Sequence, residues 1–314
     1  MRAVRQARHF EVPAVGRVLT LGGEPLVMGV VNASPESFSD GRRVGDLDRQ
    51  LERAAGLVRE GADLIDVGGE SAVTREPPIS AAEEIDRVVP LIERIVDELG
   101  ATVSIDTYKP EVAAAAVAAG AVLVNDVSGL RDVGLADVCA RTGAALVLMH
   151  TRAAPKQRLQ DPDHYPDVLG DVVDFLRDRM RVAVERGVRL DSLILDPGPD
   201  FAKTPAQTIR LLRRMEELHA LGRPLLIAVS RKDFVGAVTG RPPSQRLAGT
   251  LAALGHCLDA GGEIIRVHDV AAVRDFLRVR AVLRGDVDVA DDLLLDDSIR
   301  HERGPRGPRS VIAD

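Results

Sequence analysis

Eight times between Leu26 and Asp269 a short apolar run breaks off at a polar residue, and a stretch with helical periodicity follows. The first run, Leu26-Val27-Met28-Gly29-Val30-Val31, stops at Asn32 and gives way to a polar loop containing Pro35, Glu36, Phe38 and Asp40. A continuous apolar run of this length suits a strand covered on both faces, as in a parallel sheet. Later runs stop at Asp66, Asp106, Asn125, His150, Asp196 and Lys232, and the last at Arg266 with His268. Between them, Leu47, Leu51, Ala54, Ala55 and Val58 fall on one helical face. Ser80-Ala81-Ala82-Glu83 reads as a capping box opening a helix to Leu99, and Pro110 opens the next. A helix is expected over 205–221, and another is expected to start at Ser244 as N-cap. About eight strand–helix units in roughly 250 residues give the size and alternation of an α/β (β/α)8 TIM barrel. A doubly wound sheet is the rival, but the Gly-rich fingerprint after the first strand is missing. Uneven spacing without self-similarity argues against a solenoid.

Residues 1–24 precede the barrel and contain a short hairpin around Pro13-Ala14-Val15-Gly16. The barrel is expected over 25–284. The tail, 285–314, turns rich in Arg, Gly and Pro from Asp297 and is expected to be largely disordered. A net charge of −7 and the absence of Trp argue against a nucleic-acid binder. Cys139 and Cys257 are isolated thiols, which suits a reducing compartment and no structural zinc. The longest apolar stretch, Val112 to Val124, falls short of the ~20 residues of a membrane span. No apolar segment follows Arg2, Arg5 and Arg8, so a secretory signal is not expected and the cytoplasm is.

In a barrel the carboxyl ends of all strands converge on one face, where active sites of this architecture lie. Ionised carboxylates placed there are costly unless each is partnered. Asp106 or Asp126 alone reads equally well as a helix cap, but capping is a poor explanation for Asp106, Asn125, Asp196 and Lys232 together. Their chemistry sorts into two subsites. Asp106, Asn125 and Asp196 offer acceptors to a flat ring with adjacent N–H donors, and Lys232 donates to its carbonyl or ring nitrogen. Arg266, His268 and Asn32 address an anion, Asn32 directly or through a divalent metal. No HExxH, EF-hand or P-loop pattern appears. Mg²⁺ held mainly by substrate phosphates, with one or two protein oxygens, leaves little sequence trace.

The run Met28 to Gly41 resembles the first signature of the dihydropteroate synthases. Asp66-Val67-Gly68-Gly69-Glu70-Ser71, Ser104-Ile105-Asp106-Thr107, Asn125-Asp126-Val127-Ser128-Gly129, Asp196-Pro197-Gly198, Ser230-Arg231-Lys232 and Arg266-Val267-His268-Asp269 match that family in order. The resemblance covers about Pro25 to Leu283. It implies condensation of 6-hydroxymethyl-7,8-dihydropterin pyrophosphate with p-aminobenzoate, giving 7,8-dihydropteroate and pyrophosphate through a pterin cation. It also implies Mg²⁺, a homodimer, no nucleic-acid or membrane partner, and a loop after Asn32 that closes over the site. Carried over residue by residue, Asp106, Asn125, Asp196 and Lys232 hold the pterin, and Met149 belongs to the same substrate-binding set. Phe201 and Ser230 shape the p-aminobenzoate side, with Thr74 and Arg75 also in the substrate-binding set. Asn32, Arg266 and His268 hold pyrophosphate, Asn32 with the metal, and these three with Lys232 form the catalytic group. A paralogue with altered or no transferase activity shares the pterin residues. A non-catalytic binder does not need the Arg266–His268 pair. Three departures from the family pattern stand out: the displaced Thr74-Arg75, Ala228 in place of a glycine, and Asp200-Phe201-Ala202-Lys203 in place of Gly-Phe-Gly-Lys. Asp200 is expected to add negative charge near the site.

Overall fold

The structure, a computed structural model, describes residues 8–33, 43–70 and 77–300. The loop at 34–42, Thr74, Arg75 and the end of the tail from 301 lie outside the described residues. A hairpin of β1 (Phe10–Ala14) and β2 (Arg17–Leu21) turns at Val15-Gly16. The barrel strands follow: β3 (Leu26–Asn32), β4 (Leu64–Gly68), β5 (Thr102–Asp106), β6 (Leu123–Asp126), β7 (Ala145–Met149), β8 (Leu193–Asp196), β9 (Leu226–Ile227) and β10 (Ile264–Val267). All pairings among them are parallel, in the order β8-β7-β6-β5-β4-β3-β10-β9. A parallel bridge between Leu195 and Leu225 joins the two ends of that order, with Leu195 N–H donating to Pro224 O at 2.9 Å. Every residue of β4 and of β7 is buried, as strands covered on both faces must be.

The helices are α1 (Arg43–Arg59), α2 (Ala81–Leu99), α3 (Pro110–Ala118), α4 (Gly134–Thr142), α5 (Val168–Glu185), α6 (Pro205–Arg213), α7 (Asp233–Thr239), α8 (Leu247–Asp259) and α9 (Val270–Arg284). The hairpin buries Val12, Ala14, Leu19 and Leu21 in one cluster with Leu64, Leu123, Ala145, Leu226 and Ile264. Those five open their strands, so the hairpin plugs the amino-terminal end of the barrel and leaves the carboxyl end for polar groups. The chain divides at Arg274. The unit from Asp275 onward holds the greater part of α9 and a 3-10 turn at Asp297–Ile299.

Several local expectations change. Pro242 and Pro243 set a 3-10 turn over Pro243–Gln245, so α8 starts at Leu247 and Ser244 caps nothing; a proline at that position pre-sets the turn. The helix expected over 205–221 stops at Arg213 and continues as a 3-10 segment, Met215–Leu221. At α2 only half the capping box forms: Ser80 Oγ accepts from Glu83 N–H at 3.2 Å, while the Glu83 carboxylate pairs with Arg87 at 2.5 Å. The complete box is Thr204 with Gln207, at the start of α6. Asp66 and Arg266 sit inside β4 and β10 rather than ending them.

Candidate active site at the carboxyl mouth of the barrel

Arg266 organises the centre. Its Nε donates to Asp66 Oδ2 at 2.6 Å and its Nη2 to Asp106 Oδ2 at 2.7 Å, tying β10 to β4 and β5 across the barrel. Asp66 Oδ2 also accepts from Asn125 Nδ2 at 3.1 Å. A carboxylate accepts only, so the Asn125 amide nitrogen faces Asp66 and its carbonyl oxygen is left for a ligand. Burial works against the Arg266 charge, and Asp66 and Asp106 more than restore it. Burial pushes the Asp106 carboxyl up to about 7, with Arg266 pulling the other way and Asp66 adding to the rise. Lys109, which precedes α3, makes no side-chain cap, and Asp106 is given to Arg266 instead. Asp126 is the local one of the pair, accepting from Ser128 N–H at 2.7 Å and from Leu130 N–H.

Asp106 and Asn125 are register partners on β5 and β6, and Met149 and Asp196 on β7 and β8. Asp196 Oδ1 accepts from Gly198 N–H at 2.7 Å. Burial raises its pKa, while the Gly198 N–H and Lys232 work to lower it. Gly198 lies at φ +63°, and a Cβ there would stand 2.0 Å from His150 O, so this turn requires glycine. Lys232 precedes α7 with its Nζ 4.1 Å above the centre of the Phe201 ring. Burial draws the Lys232 pKa down, and Asp200 and Asp196 oppose that. Arg246 Nη1 pins the turn beneath it, donating to Arg231 O at 2.8 Å and Lys232 O at 3.1 Å.

Ser230 Oγ and His268 Nδ1 lie 2.9 Å apart, and Arg231 pairs with Asp269 through two bonds of 3.0 and 2.5 Å. Asn32 is exposed at the end of β3, beside Gly68. With His268, Arg49, Arg53 and Arg231 it lines a cavity of about 830 Å³. Burial, followed by Arg266 and Arg231, pushes the His268 imidazole down to about 4 from 6.5, so it is neutral near pH 7. A histidine depressed on folding binds fewer protons in the native than in the unfolded state between the two values. Its contribution to stability is therefore complete above 6.5 and is lost as the pH falls towards 4. Denaturant melts of the wild type and of His268→Gln should diverge in that window, the wild type losing ground with acid. A difference independent of pH would contradict a neutral, half-buried His268.

The structure thus joins Asp106, Asn125 and Arg266 in one network, Lys232 with Phe201, Met149 beside Asp196, and Ser230 with His268. It does not join Asn32 to Arg266 by any bond among the described residues. Two of the five N–H donors of Arg266, assigned from sequence to an anion, are already committed to carboxylates, and three are left, two on Nη1 and one on Nη2. Asp200 accepts from Thr208 Oγ1 at 3.0 Å and Phe234 N–H at 3.1 Å, while its charge supports that of Lys232. Sequence reasoning gave Asp66 and Lys203 no role. The signal for Asp66 was present: a carboxylate inside the wholly buried run Leu64–Gly68 demands a charged or donating partner.

The profile of the pterin binding enzyme family matches residues 28–268. A dihydropteroate synthase of Bacillus subtilis is 42% identical over 249 residues, covering 79% of this chain and 85% of its own. The Xanthomonas albilineans dihydropteroate synthase solved with 4-aminobenzoic acid is 41% identical, with TM-score 0.81, covering 88% of this chain and 99% of its own. The same enzyme in complex with 7,8-dihydropteroate gives 40% identity and TM-score 0.77 over 87% of this chain and 98% of that one. With a matching barrel and this identity along nearly its whole length, the chain belongs to the dihydropteroate synthase family of pterin-binding enzymes.

Proposed function

We propose that the mouth of the barrel condenses 6-hydroxymethyl-7,8-dihydropterin pyrophosphate with p-aminobenzoate, giving 7,8-dihydropteroate and pyrophosphate. The observation that carries the reading is the Asp66–Arg266–Asp106 network with Asn125, which sets acceptors for a flat heterocycle against a cation with donors to spare. The Asn125 carbonyl oxygen, the free oxygen of Asp196 and Asp106 take the ring N–H donors, and Lys232 donates to the ring carbonyl or nitrogen. Met149 packs against the ring from the end of β7.

On the leaving-group side the remaining Arg266 donors, neutral His268 and Asn32 receive the diphosphate. The methylene C–O bond breaks with its electron pair going to pyrophosphate. The aromatic amine then forms the new C–N bond and gives up a proton. Preorganised donors at a developing anion contribute about 3 kcal/mol each to such a step, and the acidic pocket favours the positive charge left on the pterin. Phe201 and Ser230, with Thr74 and Arg75 from the loop after β4, are proposed for the p-aminobenzoate side.

Mg²⁺ is proposed as the metal. Among the described residues no three acidic, His or Cys side chains form a cage, and the exposed Asn32 amide oxygen is a hard ligand suited to a metal shared with substrate phosphates. When bound, the metal supplies charge to the departing diphosphate. The working form is proposed to be a cytoplasmic homodimer; both cysteines, Cys139 and Cys257, are free and buried, as a reducing compartment allows. Purified protein given both substrates and Mg²⁺ should release dihydropteroate and pyrophosphate in equal amounts, and excess chelator should stop it. Pyrophosphate release without the amine adduct would overturn the transferase reading, and full turnover in chelator would remove the metal.

A further inference from the structure

Two residues flanking Phe201 adopt a left-handed backbone without being glycine: Asp200 at φ +66° and Ala202 at φ +50°. Such conformations are disfavoured for any residue with a Cβ and persist where surrounding bonds over-determine them. Two sets of bonds do so here. On the outer flank, Asp200 N–H donates to Thr208 Oγ1 at 3.0 Å, and its carboxylate accepts from the Thr208 hydroxyl and from Phe234 N–H. On the inner flank lies Lys203, which is wholly buried. Its Nζ donates to Gly198 O at 2.8 Å, Phe201 O at 3.1 Å and His150 Nδ1 at 2.7 Å.

An ammonium has three N–H donors, and all are used, none of them on a carboxylate. Because His150 Nδ1 accepts, the imidazole carries its proton on Nε2 and donates it to Asp171 Oδ1 at 2.8 Å. Asp171 is fixed in turn by Arg152 through bonds of 3.0 and 2.8 Å. Burial, and after it Lys203, pushes His150 down to about 4, so it is neutral as this tautomer needs. Tyr165 adds a last fastener, donating to Ala202 O at 2.8 Å. Burial pulls the Lys203 pKa down to about 7, with Asp196 and Asp171 opposing, so a lysine is a costly way to stiffen a loop here. What distinguishes this loop is that it presents the Phe201 ring to Lys232.

We propose that Lys203 is a positioning residue for the aromatic-amine side of the site: by gripping the carbonyls of Gly198 and Phe201, with Asp200 fastening the opposite flank, it fixes the Phe201 ring against Lys232. The proposal rests on the reading that Phe201 and Lys232 border p-aminobenzoate, and its test has a limb independent of turnover. The chain has no Trp, so Phe201→Trp installs a single fluorescent reporter on the loop. Adding Lys203→Met to that background should lower the reporter's residual anisotropy and raise acrylamide quenching at least about twofold, since the ring loses its anchored loop. Without the reporter, Lys203→Met should raise KM for p-aminobenzoate at least about tenfold, as a displacement near 1 Å can cost up to ~100-fold. Affinity for the pterin pyrophosphate should fall by a clearly smaller factor than the rise in KM, because Asp106 and Asn125 keep bonds that do not involve this loop. Asp200→Ala should move both readouts in the same direction by a smaller factor, and it carries the test should Lys203→Met fail to fold. Unchanged quenching and KM in the folded variants would overturn the proposal, as would a loss of pterin affinity as large as the rise in KM. If the wild type makes no dihydropteroate, the proposed function fails, while the quenching comparison still decides whether Lys203 holds the ring.

Discussion

Arg266→Ala is expected to lower kcat/KM by about a thousandfold or more and to destabilise the barrel by about 3 kcal/mol. Both losses follow from the same bonds. Asp66 is fully buried and shares Arg266 with Asp106; without the guanidinium these two carboxyls, on the neighbouring strands β4 and β5, lose the cation that bridges them. Sequence reasoning alone expects this substitution to hit pyrophosphate dependence more than binding of a pterin without phosphates. The structure changes that expectation: Arg266 also braces Asp106 and, through Asp66, Asn125, so affinity for a pterin without phosphates should fall too. Arg266→Lys should recover little, because one ammonium cannot reproduce a fork that serves two acids and an anion. Adding Asp66→Asn to Arg266→Ala should return part of the lost stability by removing one orphaned charge, but none of the turnover. Steady-state rates and urea melts on the four proteins read this out. A loss below about tenfold in kcat/KM, with unchanged stability, would show that the network is incidental.

The second large effect is expected at Asp196. Asp196→Asn should weaken pterin affinity by about 10- to 100-fold, the scale of exchanging a charged acceptor for a misplaced donor. The amide oxygen can keep the bond from Gly198 N–H, now made by Oδ1 at 2.7 Å. The other atom then becomes NH₂ and faces the ring's own N–H groups. Lys232 also loses one of the negative charges that support its own charge. Isothermal titration with the unphosphorylated pterin isolates the effect from the diphosphate subsite. An affinity equal to the wild type's would take Asp196 out of the pocket.

The barrel was legible because each strand is a short apolar run broken by a polar residue, a pattern that needs only nearest neighbours in sequence. The end of β7 just before His150 and the end of α2 at Leu99 fall where the residues alone place them. In the sequence Asp106, Asn125 and Asp196 stand out as polar groups closing apolar runs; the structure sets Asp106 and Asp196 last in their strands, Asn125 inside β6 and Lys232 in the turn before α7. What the chain did not disclose is pairing at long range. Arg266 reaches acids 200 and 160 positions away, and nothing local to it distinguishes a guanidinium held by carboxylates from one waiting for an anion. Lys203 resembles any lysine at a helix start until its burial is known. Asp200 does add negative charge beside Lys232, as its place in the sequence suggests; its bonds to Thr208 and Phe234 were not legible, because they depend on how α6 and α7 pack. Ser244 misled for the opposite reason: its capping chemistry is sound, but Pro242 and Pro243 dictate the backbone first.

The most direct test is a crystal structure of the protein with pterin pyrophosphate and Mg²⁺. The ring is expected between Asp106, Asn125, Asp196 and Lys232, with the diphosphate against Arg266 Nη1, His268 and Asn32. A ring bound away from those four side chains, or a diphosphate turned from Arg266, would contradict a single mouth shared by both subsites.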